Sequence, residues 1–481
     1  MTNQMPIDFE AIRSAMADLP NSPNVAPNES ISLNAAYFPT GHRGVLDLKR
    51  QLVVGNRGMG KSFWTHALLN SEIRDRLASE YRQSELAVTE VVIGFNGSDR
   101  TDSVTPSVDE IKIAKSAGKS SDLIWRAVII RATLGAPTSA PTLTALIEQL
   151  ENSPEYYADL LTRKDDSLKK DGRHLLIVFD ALDRLAQNWD EIRDLSRGLL
   201  IRVLGLQSFR RIHAKVFMRA DQFTDEEGFK FPDSSKLRND KVDLAWRSHE
   251  LYGLLFFHLA LAEKSRSTFS TLVSSVSGAK KSGHELGREQ LSESDQAEIV
   301  NIMAGEFMGS HKKRGRLFSW VPLHLSDAAN NCSPRTFITA WRSAANHQPL
   351  PHEKAVDHLG IAEGVRQASH ARLAELREDF PWIRNALQPL KRRFVPIPQD
   401  ELLSLWDDEA TVGSIIKETD ANSWLVPKDF LQEQGSRALL TLLVSIAVME
   451  ERANGKINVP DIFRVEAEIL RRGGVSIPRK K

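Results

Sequence analysis

The chain has 481 residues, 63 Lys+Arg against 63 Asp+Glu, and a composition 41% hydrophobic and 26% charged, which fits a soluble globular protein with about three domains' worth of chain. Zero net charge excludes a generally basic nucleic-acid coat, though not a local basic patch. The single cysteine, Cys332, excludes a disulfide framework and a Cys-rich zinc module and suits a reducing cytoplasm.

Residues 1–37 read as a flexible arm: 20–34 are rich in Pro, Asn and Ser, and the N-terminus lacks the apolar core of a signal peptide. An α/β core spans 38–262. Short apolar runs fall at 51–55, 90–95, 174–180 and 214–220, with a weaker one at 241–246, and amphipathic patterns such as 121–134 and 189–206 lie between them. Continuous apolar strands alternating with helices predict a parallel sheet of about five strands, covered on both faces. Residues 263–294 are Ser-rich and read as an insertion or linker. A helical segment follows at 295–374, then a helical or winged-helix-like module at 375–481 whose main apolar helix is expected over 436–452. The apolar runs 252–262 and 438–449 are interrupted by His258 and Ser445, and each is shorter than the roughly 20 residues of a spanning helix. No membrane segment is expected.

One motif dominates. Gly55, Asn56, Arg57, Gly58, Met59, Gly60, Lys61 and Ser62 match G-x-x-x-x-G-K-[ST] without a gap, with Phe63 continuing into a helical pattern. Glycines let the backbone wrap phosphates and aim its N–H groups inward. Lys61 places a cation on the β- and γ-phosphates, Ser62 offers a hydroxyl to Mg²⁺, and the helix start adds its positive dipole end. The spacing lacks G-x-G-x-x-G, so a dinucleotide fingerprint is disfavoured. A second motif is the apolar run Leu176 to Phe179 ending in Asp180, expected as a strand beside the phosphate-loop strand with Asp180 reaching Mg²⁺.

Together these motifs resemble the additional-strand P-loop ATPases, especially the AAA+ initiator-like and STAND groups, and the pattern is similar to predicted ATPases of bacterial conflict and defence loci. The resemblance covers about residues 38–350. It implies an ATP–Mg²⁺ site between the sheet and a helical lid at 295–374. Relatives usually place an acidic residue after the metal-binding Asp, where this chain has Ala181, which points to slow hydrolysis. Asp183 is the substitute base, with an ion pair to Arg184 as its competing role. Arg219, at the end of the fourth strand, is the expected γ-phosphate sensor, with pairing to Asp221 or Asp225 as the alternative. Arg335, in a Ser-Pro-Arg helix start, is the expected lid contact. The 119-residue separation of Lys61 and Asp180 (180 − 61) implies a helical insertion near 100–170.

Basic groups cluster at 311–316, 391–393 and 479–481. They suit nucleic-acid phosphates or simple solvation. His311, His324, His347 and His352 lack metal-ligand spacing. The expected function is a slow regulatory or motor ATPase that self-associates and acts with a partner protein in a bacterial defence assembly. The alternatives are a DNA-associated loader or initiator and a nucleotide-locked scaffold.

Overall fold

The five apolar runs become five parallel strands, β1 (Leu52–Val54), β2 (Thr89–Phe95), β3 (His174–Phe179), β4 (Ile212–Met218) and β5 (Val242–Asp243), arranged in the order β2-β3-β4-β1-β5. All six residues of β3 are buried, as expected of a central strand covered on both faces. The order corrects one sequence expectation. The strand ending at Asp180 does not lie beside β1, because β4 sits between them in the registers Leu52↔Val216 and Phe179↔Val216. Lys215 shows what fixes β4 there. Its ammonium donates to the carbonyl oxygens of Asp47 (3.0 Å) and Arg50 (2.6 Å), in the segment that leads into β1.

This computed structural model describes residues 7–20, 36–98, 104–135, 141–186, 188–277, 291–422 and 426–472. The chain divides into two compact units. Gly41–Leu244 carries the sheet; Ala245–Lys481, with Met1–Pro23 and Asn34–Thr40, forms the other.

In the sheet unit, four helices lie between β2 and β3 among the described residues, Val108–Ser116, Ser121–Leu134, Leu143–Asn152 and Tyr156–Lys170, where the sequence suggests a helical insertion. Ser121–Leu134 is apolar on nearly every face and is accordingly an interior helix. Trp125 packs edge-on between Phe95 and Phe179 and donates its indole N–H to Leu195 O at 2.7 Å. The helix Trp189–Gly205 starts at Asn188, whose side chain accepts from Glu191 N at 2.8 Å.

The second unit is mainly helical and changes several expected boundaries. Within the presumed arm, Phe9–Ala17 is a helix capped by Asp8 that buries Ile12, Ala15 and Met16. Its apolar positions at i, i+3 and i+4 account for the packing. The segment 20–34 lies outside the described residues, apart from residue 20. Ser248–Leu261 belongs to this unit rather than to the sheet unit. Within the presumed linker, Arg266–Ser277 is a helix burying Phe269, Leu272 and Val273, whereas 278–290 lie outside the described residues. Pro334–Ala345 packs on His358–Asp379 so closely that a Cβ at Gly364 would stand 2.2 Å from Ala340 O.

Toward the C-terminus, β6 (Phe394–Val395) precedes β7 (Ile397–Pro398). Helices Gln399–Asp408, Thr411–Asn422 and Lys428–Ser445 follow, then β8 (Glu450–Glu451) and β9 (Lys456–Asn458). β7, β9 and β8 form an antiparallel sheet in that order, and the last of the helical segments between β7 and β8 breaks at Gly435 (φ 57°). The expected helix over 436–452 stops at Ser445. Ala447 takes a left-handed conformation (φ 59°), and Val448 and Met449 return to the core before β8. β10 (Leu470–Arg471) pairs in parallel with β6. No described helix is long and apolar enough to cross a membrane.

Candidate functional site

The chain leaves β1 into a loop that needs glycine. Gly58 and Gly60 have φ of 81° and 105°, a left-handed region that side chains disfavour. A Cβ at Gly60 would meet nothing within 4 Å, so conformation rather than crowding selects glycine there. The helix Lys61–Leu69 follows, with no side chain capping its N-terminus. Its first amides therefore keep donors to offer. Trp64 anchors this helix: its indole N–H donates to His42 Nδ1 at 2.9 Å, and both residues are buried.

Lys61 folds back over the loop. Its Nζ donates to Gly55 O at 2.9 Å and Asn56 O at 3.2 Å. The residue is half-buried with its ammonium enclosed. Burial pushes its pKa below the usual lysine value, opposed by Asp180, reinforced by Arg219, and opposed again by Asp183 and Asp221.

Asp180, 6% exposed, sits where β3 ends. Its Oδ2 accepts from Ser62 Oγ and from Thr65 Oγ1, both at 3.2 Å, while Oδ1 accepts from Ala181 N at 2.8 Å. Residues 118 apart in sequence thus meet at the loop. Sequence reading missed Thr65. It lies three residues after Ser62 on the same helical face, and that spacing was the available signal.

Ala181 is left-handed (φ 56°) and turns the chain into a 3₁₀ segment, Leu182–Arg184. It offers no carboxylate directly after Asp180. Asp183, in that segment, does not pair with Arg184, which reaches Gly97 O at 3.4 Å. Its partner is Arg219, Nη1 to Oδ2 at 3.6 Å. Arg219, at the end of β4, also donates from Nε to Asp221 Oδ1 at 3.2 Å. Asp225 is held by Arg193 at 2.7 Å instead. Arg219 and Asp221 are largely buried, with side-chain exposures of 13% and 12%. Asp221 is therefore a second carboxylate on Arg219, beside Asp183, as one of the two sequence alternatives for that arginine had it.

Arg335 belongs to the second unit, where Ser333 caps its helix and Glu375 Oε1 accepts from its Nη1 at 2.8 Å. Of the basic groups, Lys312, Lys313 and Arg314 form an exposed 3₁₀ turn and 391–393 are exposed; the group 479–481 lies outside the described residues.

The donor set fits a nucleoside triphosphate with Mg²⁺. The loop presents glycine-shaped backbone and uncapped amides to phosphate, Lys61 supplies a cation, and Ser62 and Asp180 supply adjacent hard oxygens. Bound Mg²⁺ would draw charge from the β- and γ-phosphate oxygens.

No family model matches the sequence, and no curated protein matches it. Among solved structures, Cdc6p from Pyrobaculum aerophilum is 12% identical over 96% of this chain and 97% of that one, with a TM-score of 0.30. The ORC2 protein of Aeropyrum pernix, solved as ADPNP–ADP complexes, is 11% identical over 94% of this chain and 98% of that one, with a TM-score of 0.29. At such identity and superposition these likenesses carry no functional weight, and the chemistry rests on the residues around Lys61.

Proposed function

We propose that the chain is a P-loop ATPase of the additional-strand class, binding ATP–Mg²⁺ through residues 55–63 and Asp180 and hydrolysing it slowly. One observation carries the reading: the Ser62–Asp180 contact at 3.2 Å joins the two motifs that Mg²⁺–ATP needs. The sheet order, with β4 between β1 and β3, supports the additional-strand assignment.

Lys61 and the loop amides hold the phosphates, and Ser62 and Asp180 hold Mg²⁺. Asp183 acts as general base in place of the acid missing at position 181, and Arg219 senses the γ-phosphate. Arg219 must loosen from Asp183 to meet that phosphate, so its two pairings couple sensing to release of the base. Arg335 is a proposed nucleotide contact on the family resemblance alone. The biological reading is a regulatory ATPase that works with a partner protein in a bacterial defence assembly and self-associates, and it too rests on that resemblance.

Isothermal titration of ATP with and without Mg²⁺ tests the site. Mg²⁺ should tighten binding in the wild type and leave Ser62→Ala and Asp180→Ala nearly unaffected. Equal Mg²⁺ enhancement in all three proteins would remove the metal assignment.

A second reading, a DNA-associated loader or initiator, is favoured by the β7-β9-β8 strand order of the C-terminal module, which we read as winged-helix-like, because helix-turn-helix relatives of such modules dock on DNA. A nucleotide-locked scaffold becomes the better description if the protein binds ATP without turnover.

A further inference from the structure

In a winged-helix module the expected groove reader is the last of the three helices. Here that segment, broken at Gly435, exposes Gln432, Glu433, Gln434, Arg437, Thr441, Val444 and Ser445, one cation against one carboxylate. The β8–β9 hairpin is no more basic, since Arg452 pairs with Glu450 at 3.3 Å. Each element offers a single cation without an acidic partner among the described residues, Arg437 and Lys456, which is little for a polyphosphate backbone that is held through several.

The cations lie on the β6–β10 ribbon instead. Leu470 N donates to Arg393 O at 2.8 Å, Arg472 N to Val395 O at 3.4 Å, and Arg392 N to Glu468 O at 2.9 Å, with Leu470 opposite Phe394. Val395 points into the core, fully buried, and so its neighbour Phe394 points outward, 49% exposed. The guanidinium of Arg472 lies 5.8 Å from the Phe394 ring centroid. Two nearby cations are neutralised: Lys391 by Glu468 at 2.9 Å and Arg471 by both Asp461 oxygens at 3.2 and 3.3 Å. Arg392, Arg393 and Arg472 are exposed and have no acidic partner among the described residues. Phe394 is thus presented to solvent beside Arg472 and directly after Arg392 and Arg393 in the chain, an unusual position for a residue type that is normally buried.

We infer that this ribbon binds single-stranded DNA, with one base stacked on Phe394 and the arginines on flanking phosphates. Stacking on an aromatic ring needs an unpaired base, which a duplex keeps inside its own stack. An acidic protein segment would use the cations and leave the ring idle. A 2′-hydroxyl can accept from arginine as well as donate, so these side chains do not require ribose, and the choice of DNA over RNA follows the DNA reading of the module. The inference deepens the DNA reading of the C-terminal module and does not depend on the nucleotide site.

The test is fluorescence anisotropy of a labelled oligothymidylate across a salt series, without nucleotide. Phe394→Leu keeps an apolar side chain but removes the ring. It should weaken binding by roughly 5- to 150-fold, the range of one base–aromatic stack, with the salt slope unchanged, and Phe394→Tyr should restore it. Arg392→Glu with Arg393→Glu should flatten the logarithmic salt slope by about 0.7 for each phosphate no longer neutralised. Wild-type affinity in Phe394→Leu overturns the inference, as does a duplex binding as tightly as the single strand, an oligouridylate binding more tightly than the oligothymidylate, or no binding at low salt. Polyglutamate competition that ignores Phe394 would assign the surface to an acidic protein instead. Phe394→Leu should melt like the wild type and retain its ATP turnover measured without DNA. A protein with no turnover at all would refute the ATPase reading and leave the DNA result standing.

Discussion

Replacing Lys61 with Met separates a ligand-directed lysine from a structural one. Met keeps the stem length and removes the ammonium that now rests on Gly55 O and Asn56 O. A phosphate charge about 4 Å from that ammonium contributes ~4 kcal/mol at an effective dielectric of about 20. Losing most of it should weaken ATP binding at least ~100-fold, since each factor of ten is about 1.4 kcal/mol. Thermal unfolding reads this directly. At ATP 100 times the wild-type Kd, the wild type gains about 2.7 kcal/mol. A unit the size of Gly41–Leu244 shifts about 2–4 °C per kcal/mol, so its transition should rise by about 5–11 °C. Lys61→Met at the same ATP concentration gains only ~0.4 kcal/mol, or about 1–2 °C. Without nucleotide the variant should melt no lower than wild type, because burial of the ammonium already disfavours its charged form. An undiminished ATP shift in Lys61→Met refutes the reasoning. A marked fall in its nucleotide-free Tm would show that Lys61 serves the loop rather than a ligand.

Two further outcomes follow from the same geometry. Asp183→Asn should lower kcat by about 10²-fold or more while leaving ATP affinity within about twofold; phosphate-release kinetics check this, and unchanged kcat assigns Asp183 to holding Arg219 alone. For Lys215, burial pushes the pKa from 10.5 to about 7, and a neutral amine still has two N–H groups for the two carbonyls it touches. The unfolded chain keeps this proton until near 10.5 and the folded chain loses it near 7, so stability rises with pH between those values by up to about 1.4 kcal/mol per unit and is lost as pH falls toward 7. Lys215→Met should flatten that slope in urea titrations at about pH 7 and about pH 9; equal slopes in both proteins would contradict it.

The glycine-shaped loop after β1 and the place of Asp180 at the end of β3 were legible in sequence because their signals are local. Glycine spacing reports left-handed turns, and an apolar run ending in Asp reports a strand's carboxyl end. Strand order was not legible, since β3 and β4 read alike as apolar runs and the crossover lengths permit either to neighbour β1. The Lys215 contacts that fix β4 beside β1 are long-range. Asp183 and Asp221 both flank Arg219 only after folding, so a sequence could suggest Arg184 and Asp225 as partners equally well. Helix limits failed where burial continues through a change of backbone. The apolar run past Ser445 stays in the core through Val448 and Met449, but Ala447 has already ended the helix. In the opposite sense, the polar-looking start of the chain hid the narrow apolar stripe of Ile12, Ala15 and Met16.

Steady-state phosphate release from ATP and Mg²⁺ by the purified wild type and by Asp180→Asn tests the central claim. Asp180 accepts from both Ser62 and Thr65 and so ties the end of β3 to the helix that follows the phosphate loop. The account predicts slow but measurable turnover in the wild type and its loss in Asp180→Asn. Turnover that persists undiminished in Asp180→Asn would contradict it.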